Sequence, residues 1–274
     1  MFSIIVPASN EAAHIGACLK AILASDSLDI AQLIVVANGC TDETVDIANS
    51  FSGQSQARGW EFNLLTLSAI GKPGALNAGD AAAKYPMRVY IDADVTVEPF
   101  LLRQITEALV VNGPRYASGQ LRFATANSWV TRAYARTYAR VPFITQGVPG
   151  AGLFAVNGTG RKRWEAFPEI IADDTFVRLN FAPNERIGVS GQYYWPLVEG
   201  FTNLVRVRRR QNAGVKEIER LYPELIENDE KPRLGLADHA KLFISDPVGF
   251  IVYAGVALAV KITPRLYNGW ERGR

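Results

Sequence analysis

With 274 residues, 48% of them hydrophobic and 20% charged, the chain can bury one large core or two small ones. Its 29 basic and 27 acidic side chains leave a net charge of +2, too even a balance for a general nucleic-acid binder. Cys18 and Cys40 are the only cysteines, which excludes a disulfide framework and a cysteine-ligated metal and fits a reducing, cytoplasmic setting.

The chain opens into an apolar run at 2–7 with no basic stretch or cleavage site, so no secretory leader is expected. Hydrophobic periodicity then predicts strands over 4–6, 33–37, 62–67 and 89–91, separated by helices over 11–24, 42–48 and 75–84. This alternation implies an α/β fold with a mostly parallel, Rossmann-like sheet flanked by helices and right-handed crossovers. Ligands of such sheets bind beyond the carboxyl ends of the strands. Asn10, Glu11, Asn38, Asp42 and Asp94 all follow predicted strand ends. Residues 1–110 therefore form a candidate nucleotide-binding half.

Past residue 110 the alternation weakens, and 111–222 is assigned the acceptor half of the same domain. Residues 115–123 alternate like an exposed-edge strand, and 128–140 read as a helix whose Tyr134 and Tyr138, four apart, fit core packing better than a ligand platform. A Gly-Pro loop at 147–152 is suited to close approach of a ligand. A helix over 202–222 and a polar connector over 223–232 precede a C-terminal helical extension, 223–274 in all. Its apolar run, 248–260, is shorter than the roughly twenty residues needed to span a bilayer. Two readings stay open for it: a buried helix closing the domain, or an interfacial anchor with Lys261, Arg265, Tyr267, Trp270, Arg272 and Arg274 at the inner face of the cell membrane.

The chemistry centres on Asp92-Ala93-Asp94 at the end of a strand-like run. In extended chain residues i and i+2 point the same way, so both carboxylates can face one hard cation such as Mg2+ or Mn2+ carrying a diphosphate. A Gly-rich, Lys-bearing stretch lies upstream and a second acid pair, Asp173-Asp174, downstream. That pair could equally cap the helix after it.

These segments resemble the family 2 inverting glycosyltransferases of the GT-A fold, over roughly residues 3–214. Ile5-Val6-Pro7-Ala8-Ser9-Asn10-Glu11 is similar to the family's opening Val-Pro-x-x-Asn-Glu, and Val35-Val36-Ala37-Asn38-Gly39-Cys40-Thr41-Asp42 to its Val-Asp-Asp-Gly-Ser-Thr-Asp loop. Gly71-Lys72-Pro73-Gly74-Ala75-Leu76-Asn77-Ala78-Gly79 resembles Gly-Lys-x-x-Ala-Leu-Asn-x-Gly, Asp92-Ala93-Asp94 the metal motif, and Ala172-Asp173-Asp174 stands where Glu-Asp is usual.

The resemblance implies a metal-dependent transferase using a nucleotide-diphospho-sugar, a UDP-sugar in the first instance, and an acceptor hydroxyl on a glycan or lipid-linked glycan of a surface polysaccharide. It implies metal binding by Asp94 with Asp92, and donor contacts from Pro7, Asn10, Glu11, Asn38, Asp42, Lys72, Asp92 and Ala93. Asp174 is the implied base, with Asp173 orienting it. Trp164, Arg209 and Arg210 are candidate acceptor contacts, with a core position for Trp164 and a solvated patch for Arg206 to Arg210 as the plain alternatives. Ala37 and Asn38 depart from two acids of the pattern, and Val207-Arg208-Arg209-Arg210-Gln211 only partly matches Gln-x-x-Arg-Trp, which favours single addition over processive synthesis. His239 fits a cap or surface residue better than a metal ligand. A sugar nucleotidyltransferase and a non-catalytic nucleotide-sugar-binding partner are the competing functional readings; the first lacks its Gly-rich loop at residues 8–11.

Overall fold

The computed structural model describes residues 1–26, 30–230 and 234–262. In the first half, β1 (Phe2–Ala8), β2 (Ala31–Asn38), β3 (Glu61–Leu67) and β4 (Arg88–Ile91) alternate with α1 (Ile15–Leu23), α2 (Thr44–Asn49), α3 (Ser52–Ala57) and α4 (Gly71–Ala82). Then follow β5 (Thr96–Val97), α5 (Leu101–Ala108), β6 (Tyr116–Phe123), α6 (Trp129–Tyr138), α7 (Pro142–Thr145), β7 (Leu153–Val156), α8 (Gly158–Arg161), α9 (Asp173–Leu179) and β8 (Arg186–Trp195). The long α10 (Phe201–Leu221) leads through a 3₁₀ turn to α11 (Leu236–Ser245) and α12 (Pro247–Ile262).

The strands form one eight-stranded sheet in the order β3-β2-β1-β4-β7-β6-β8-β5. The first four are parallel, as the alternation predicts; β7 joins β4 antiparallel and begins a mixed half. Every residue of β2 is buried, because helices cover both faces, which is why it reads as a continuous apolar run. In β1 the two-residue period splits Phe2, Ile4 and Val6 from Ile5, so each face feeds a separate core cluster. Gly79 lets α4 lie close on the sheet: a Cβ there would stand 2.5 Å from the Ile5 Cγ2.

Several boundaries differ from the sequence reading for identifiable reasons. α1 starts at Ile15, not at residue 11, because Asn10 adopts a left-handed φ of 50° and residues 12–14 form a turn. β6 is not an edge strand: it lies between β7 and β8, and its first four residues are buried. The polar stretch after α10 is no loose connector. Its Leu225 and Ile226 pack on a core cluster, Asp229 accepts from Arg178 at 2.7 Å, and the Asn228 carbonyl accepts from Arg186 at 2.5 Å. Two buried arginines thus satisfy its polar groups and pin it to the domain.

The apolar C-terminal run becomes a helix with two unlike sides. Val256 of α12 packs with Tyr134 of α6 and Leu204 of α10, whereas Val248, Ile251, Leu258 and Ile262 stay exposed. Among the described residues no helix is long and apolar enough to cross a membrane. Arg265, Tyr267, Trp270, Arg272 and Arg274 lie outside the described residues.

Candidate active site

The carboxyl ends of β1, β2 and β4 open onto a cavity of about 1490 Å³, closed on the far side by α6, α9, α10 and α12. Pro7, Asn10, Glu11, Asn38, Lys72, Asp92, Ala93, Asp94, Asp173, Asp174, Arg209 and Arg210 all line it. Residues more than 80 positions apart in sequence are thereby brought to one wall.

Asp92 and Asp94 sit half-buried in the turn after β4, with Ala93 buried between them. The turn is held by the Asp92 amide, which donates to the Gly152 carbonyl at 2.8 Å, and by the Val95 amide, which donates back to the Asp92 carbonyl at 3.0 Å. Gly152 has φ +75°, and a Cβ there would come within 3.0 Å of Val95, so the loop can approach the acids this closely only as glycine.

Asp173 and Asp174 open α9, but neither is its N-cap; that position is Ala172, which has no capping side chain. Their charge at the helix N-terminus is favoured by the peptide dipoles. Asp174 accepts from the Thr175 amide at 2.6 Å and remains partly open to the cavity, whereas Asp173 is 5% exposed.

Lys72 joins the two acid groups. Its Nζ stands 2.9 Å from Asp92 Oδ1 and 3.1 Å from Asp173 Oδ2. Burial disfavours the ammonium, but Asp173, Asp92 and Asp174 more than offset this and lift its pKa above the ordinary lysine value. Burial pushes the Asp173 carboxyl up to about 6 against the pull of Lys72, with the charges of Asp174 and Asp92 adding to the rise. Asp174 is raised as well, by burial first, with Lys72 and the Thr175 amide opposing.

Other expected donor contacts take supporting places. The Asn38 amide donates to the Gly71 carbonyl at 3.0 Å, and its Oδ1 accepts from the Ile70 amide at 2.8 Å. Two of its hydrogen bonds therefore hold the entrance of α4, the helix that carries Lys72. Asp42 does not line the cavity: its carboxylate accepts from the Thr44 amide and hydroxyl and from the Ala12 amide, closing the loop before α2. Asn10 accepts from the Thr41 amide at 2.7 Å and so ties the loop after β1 to the loop after β2.

Trp164 is not an acceptor platform. It is 7% exposed, edge-on to Phe167 and under the Arg161 guanidinium, outside the cavity lining. His239 is exposed on α11 against Phe250 and lies away from the cavity. Among the described residues no three His, Cys, Asp or Glu side chains gather into a metal cage. Asp92 and Asp94 nonetheless fit Mg2+ or Mn2+, hard cations commonly held by one or two carboxylates with the remaining oxygens supplied by phosphate and water.

A family model described as "Glycosyl transferase family 2" matches residues 3–177, which contain every acid above. The chain belongs to glycosyl transferase family 2. The fold agrees: a mannosyltransferase from Pyrobaculum calidifontis, solved with GDP-Man and Mn2+, superposes with a TM-score of 0.61 at 19% identity, covering 97% of this chain and 76% of that one. Glucosyl-3-phosphoglycerate synthase from Mycobacterium tuberculosis, solved with Mn2+, UDP and glucosyl-3-phosphoglycerate, gives a TM-score of 0.52 at 20% identity over 86% of this chain and 82% of that one. In sequence, a PGL/p-HBAD biosynthesis glycosyltransferase of Mycobacterium tuberculosis is 50% identical over 52 residues, 19% of this chain and 20% of that protein. AglD of Haloferax volcanii is 28% identical over 136 residues, 47% of this chain and 20% of AglD. The matched stretches thus span about a fifth of these relatives.

Sequence reasoning missed the far wall of this family 2 member's cavity. Trp195, Leu197, Tyr253 and Val260 line it, from a strand end and a helix with no recognisable motif. The stripe of Tyr134 and Tyr138 was the available signal: both pack against Tyr253, and both line the cavity as well.

Proposed function

We propose that this family 2 member is an inverting, hexosyltransferase-type enzyme that moves a sugar from a UDP-sugar to the hydroxyl of a lipid-linked glycan, by single addition, at the cytoplasmic face of a membrane. The observation that carries this reading is the convergence of Asp92, Asp94, Asp173 and Asp174 on one cavity, with Lys72 between the two acid groups. The nucleotide-sugar and nucleotide complexes of structural neighbours, with GDP-Man, UDP-GlcNAc or UDP, support the donor class.

The acceptor hydroxyl attacks the anomeric carbon from the face opposite the departing diphosphate. Its oxygen forms the new C–O bond, the old C–O bond breaks, and the electron pair leaves with the nucleoside diphosphate, so the configuration inverts. Asp174 takes the hydroxyl proton: it is the more open carboxylate of the pair, and its raised pKa makes it a stronger base than an ordinary aspartate. Asp173 and Lys72 fix the start of α9 and hence the aim of Asp174. Mn2+ or Mg2+ held by Asp94 and Asp92 would stabilise negative charge on the departing diphosphate.

The exposed apolar side of α12, with exposed Lys241 and Lys261 nearby in sequence, supports peripheral membrane contact. Two measurements test the reading. A thermal-shift panel of nucleotide diphosphates with and without Mn2+ should respond to UDP and only weakly to other bases; a flat panel sinks the donor assignment. Flotation with anionic vesicles should fall for Ile251→Glu, and equal flotation of both proteins refutes the membrane contact.

A further inference from the structure

The backbone that delivers the second acid pair has little hold of its own. Residues 162–172, between α8 and α9, form neither strand nor helix. Ala172, at the N-cap of α9, has no side chain with which to fix the first turn, a role that Ser, Thr, Asp or Asn fills at most helix starts. Lys72 meets Asp173 directly, whereas among the described residues Asp174 bonds only to its neighbour Thr175. The aim of Asp174 therefore follows the backbone just before it.

Two distant elements hold that backbone. Asn77 of α4 brackets Phe167, its Nδ2 donating to the Phe167 carbonyl at 3.0 Å and its Oδ1 accepting from the Phe167 amide at 2.7 Å. Nearer the acids, the Glu217 carboxylate of α10 accepts from the Ile171 amide at 2.9 Å, two residues before Asp173. Gly214 lies on the same stretch: a Cβ there would stand 2.8 Å from the Ala172 Cβ and 3.1 Å from the Ile171 Cβ. Ile218 shares a core cluster with Ile170, Ala172 and Phe176. Gly214, Glu217 and Ile218 are spaced as one face of a helix, and that face is laid along the entry to α9.

We infer that Glu217 is a positioning residue: by holding the Ile171 amide, with Gly214 letting α10 lie against Ala172, it sets the backbone from which Asp174 reaches the acceptor hydroxyl. This rests on the reading of Asp174 as the base and extends the working site to a helix face outside the cavity lining. A contact that served packing alone would change stability and leave turnover per folded molecule as it was.

The test measures UDP release from UDP-glucose, UDP-galactose and UDP-N-acetylglucosamine with Mn2+, water standing in for the acceptor. In that step the water oxygen bonds to the anomeric carbon, the bond to UDP breaks with its electron pair leaving on UDP, and Asp174 takes the water proton. With the fastest donor, Glu217→Ala should lower kcat about 10–100-fold and leave donor KM within about twofold, because a misaimed base affects the chemical step and not donor binding. Glu217→Gln keeps an oxygen for the Ile171 amide and should retain kcat within about threefold. Gly214→Ala removes no hydrogen-bonding group, yet its Cβ displaces Ala172 and should lower kcat about tenfold. In the Asp174→Asn background Glu217→Ala should cost less than about twofold more, as expected of a residue that acts through another. Arg220→Ala, exposed on the same helix, is the control and should leave kcat unchanged. Rates are taken per folded molecule from a urea melt, and if Glu217→Ala does not fold, Gly214→Ala alone and with Asp174→Asn decides. Unchanged kcat, a rise in donor KM alone, or a full additive loss in the Asp174→Asn background each overturns the inference. UDP release by the unaltered protein is measured first: none from any donor, or undiminished release in Asp174→Asn, refutes the transferase reading, whereas release that needs Asp174 but not Glu217 refutes the positioning role alone.

Discussion

Lys72→Met removes the cation that touches both Asp92 and Asp173. Removing one partner of a fully buried ion pair costs about 3–5 kcal/mol, and of an exposed pair about 0–1 kcal/mol. This site lies between: the Asp173 side chain is 7% exposed, but those of Lys72 and Asp92 are 30% exposed. A loss of about 2–3 kcal/mol is expected at pH 8. The loss should depend on pH. Asp173 sits at about 6 in the fold, above the ordinary aspartate value. A carboxyl raised in this way contributes stability below about pH 4 that is lost as the pH climbs through about 6, and without Lys72 more is lost. At pH 5 Asp173 is largely protonated in both proteins, so the difference should shrink to below about 1 kcal/mol, the worth of the more open Lys72–Asp92 contact. Urea unfolding at pH 5 and pH 8 in the presence of a chelator, followed by tryptophan fluorescence, measures both values. Asp173→Asn in the Lys72→Met background should restore stability at pH 8, since it removes the stranded charge. An equal loss at the two pH values, or no rescue by Asp173→Asn, refutes the assignment of Lys72 as the counter-charge of the acid pair.

Asp174→Asn should lower transfer by about 10²–10⁴-fold while UDP affinity, read by calorimetry, stays within about twofold; a residual rate near that of the unaltered protein would remove Asp174 from the role of base. Asp94→Ala should abolish the Mn2+ dependence of UDP binding, and retention of that dependence places the cation elsewhere. Asn38→Ala should destabilise by about 0.5–1.5 kcal/mol, because it breaks both bonds to residues 70 and 71, whose freed amide and carbonyl can turn to water; substitution without effect in a urea melt contradicts the clamp. Trp164→Ala should cost about 3–5 kcal/mol of stability with no change in acceptor KM beyond that explained by unfolding, and a selective rise in KM would return Trp164 to the acceptor site.

The first half of the fold was legible because parallel strands covered on both faces leave a strong mark: runs such as Leu33 to Ala37 are apolar at every position, and the helices between them show their own period. The acids at the strand ends and at the start of α9 were legible too, since strand ends and helix starts in this kind of sheet are where ligands meet the chain, whereas Glu219, inside α10, was not. Packing decided the rest. Nothing in the alternation of residues 116–123 says whether a second strand lies on the far side, so β6 looked like an edge although it is interior. Nothing in Asn38 or Asp42 says that a neighbouring loop will take up their hydrogen bonds, because polar side chains near a site serve the loops that build it as readily as the ligand.

By itself the sequence determined which residue types stand at which strand ends, and so the chemistry the cavity can perform: paired carboxylates and an ammonium at the mouth of a parallel sheet. Only the tertiary structure decided that Lys72 joins acids 20 and 101 positions away in the chain, that Trp164 belongs to the core, and that Arg208 stands among tyrosines from two other helices. The physical reason is range. Backbone period and turn geometry are set by residues a few positions apart, whereas burial, charge pairing and the shape of a cleft depend on side chains that become neighbours only when the sheet and its helices close around them.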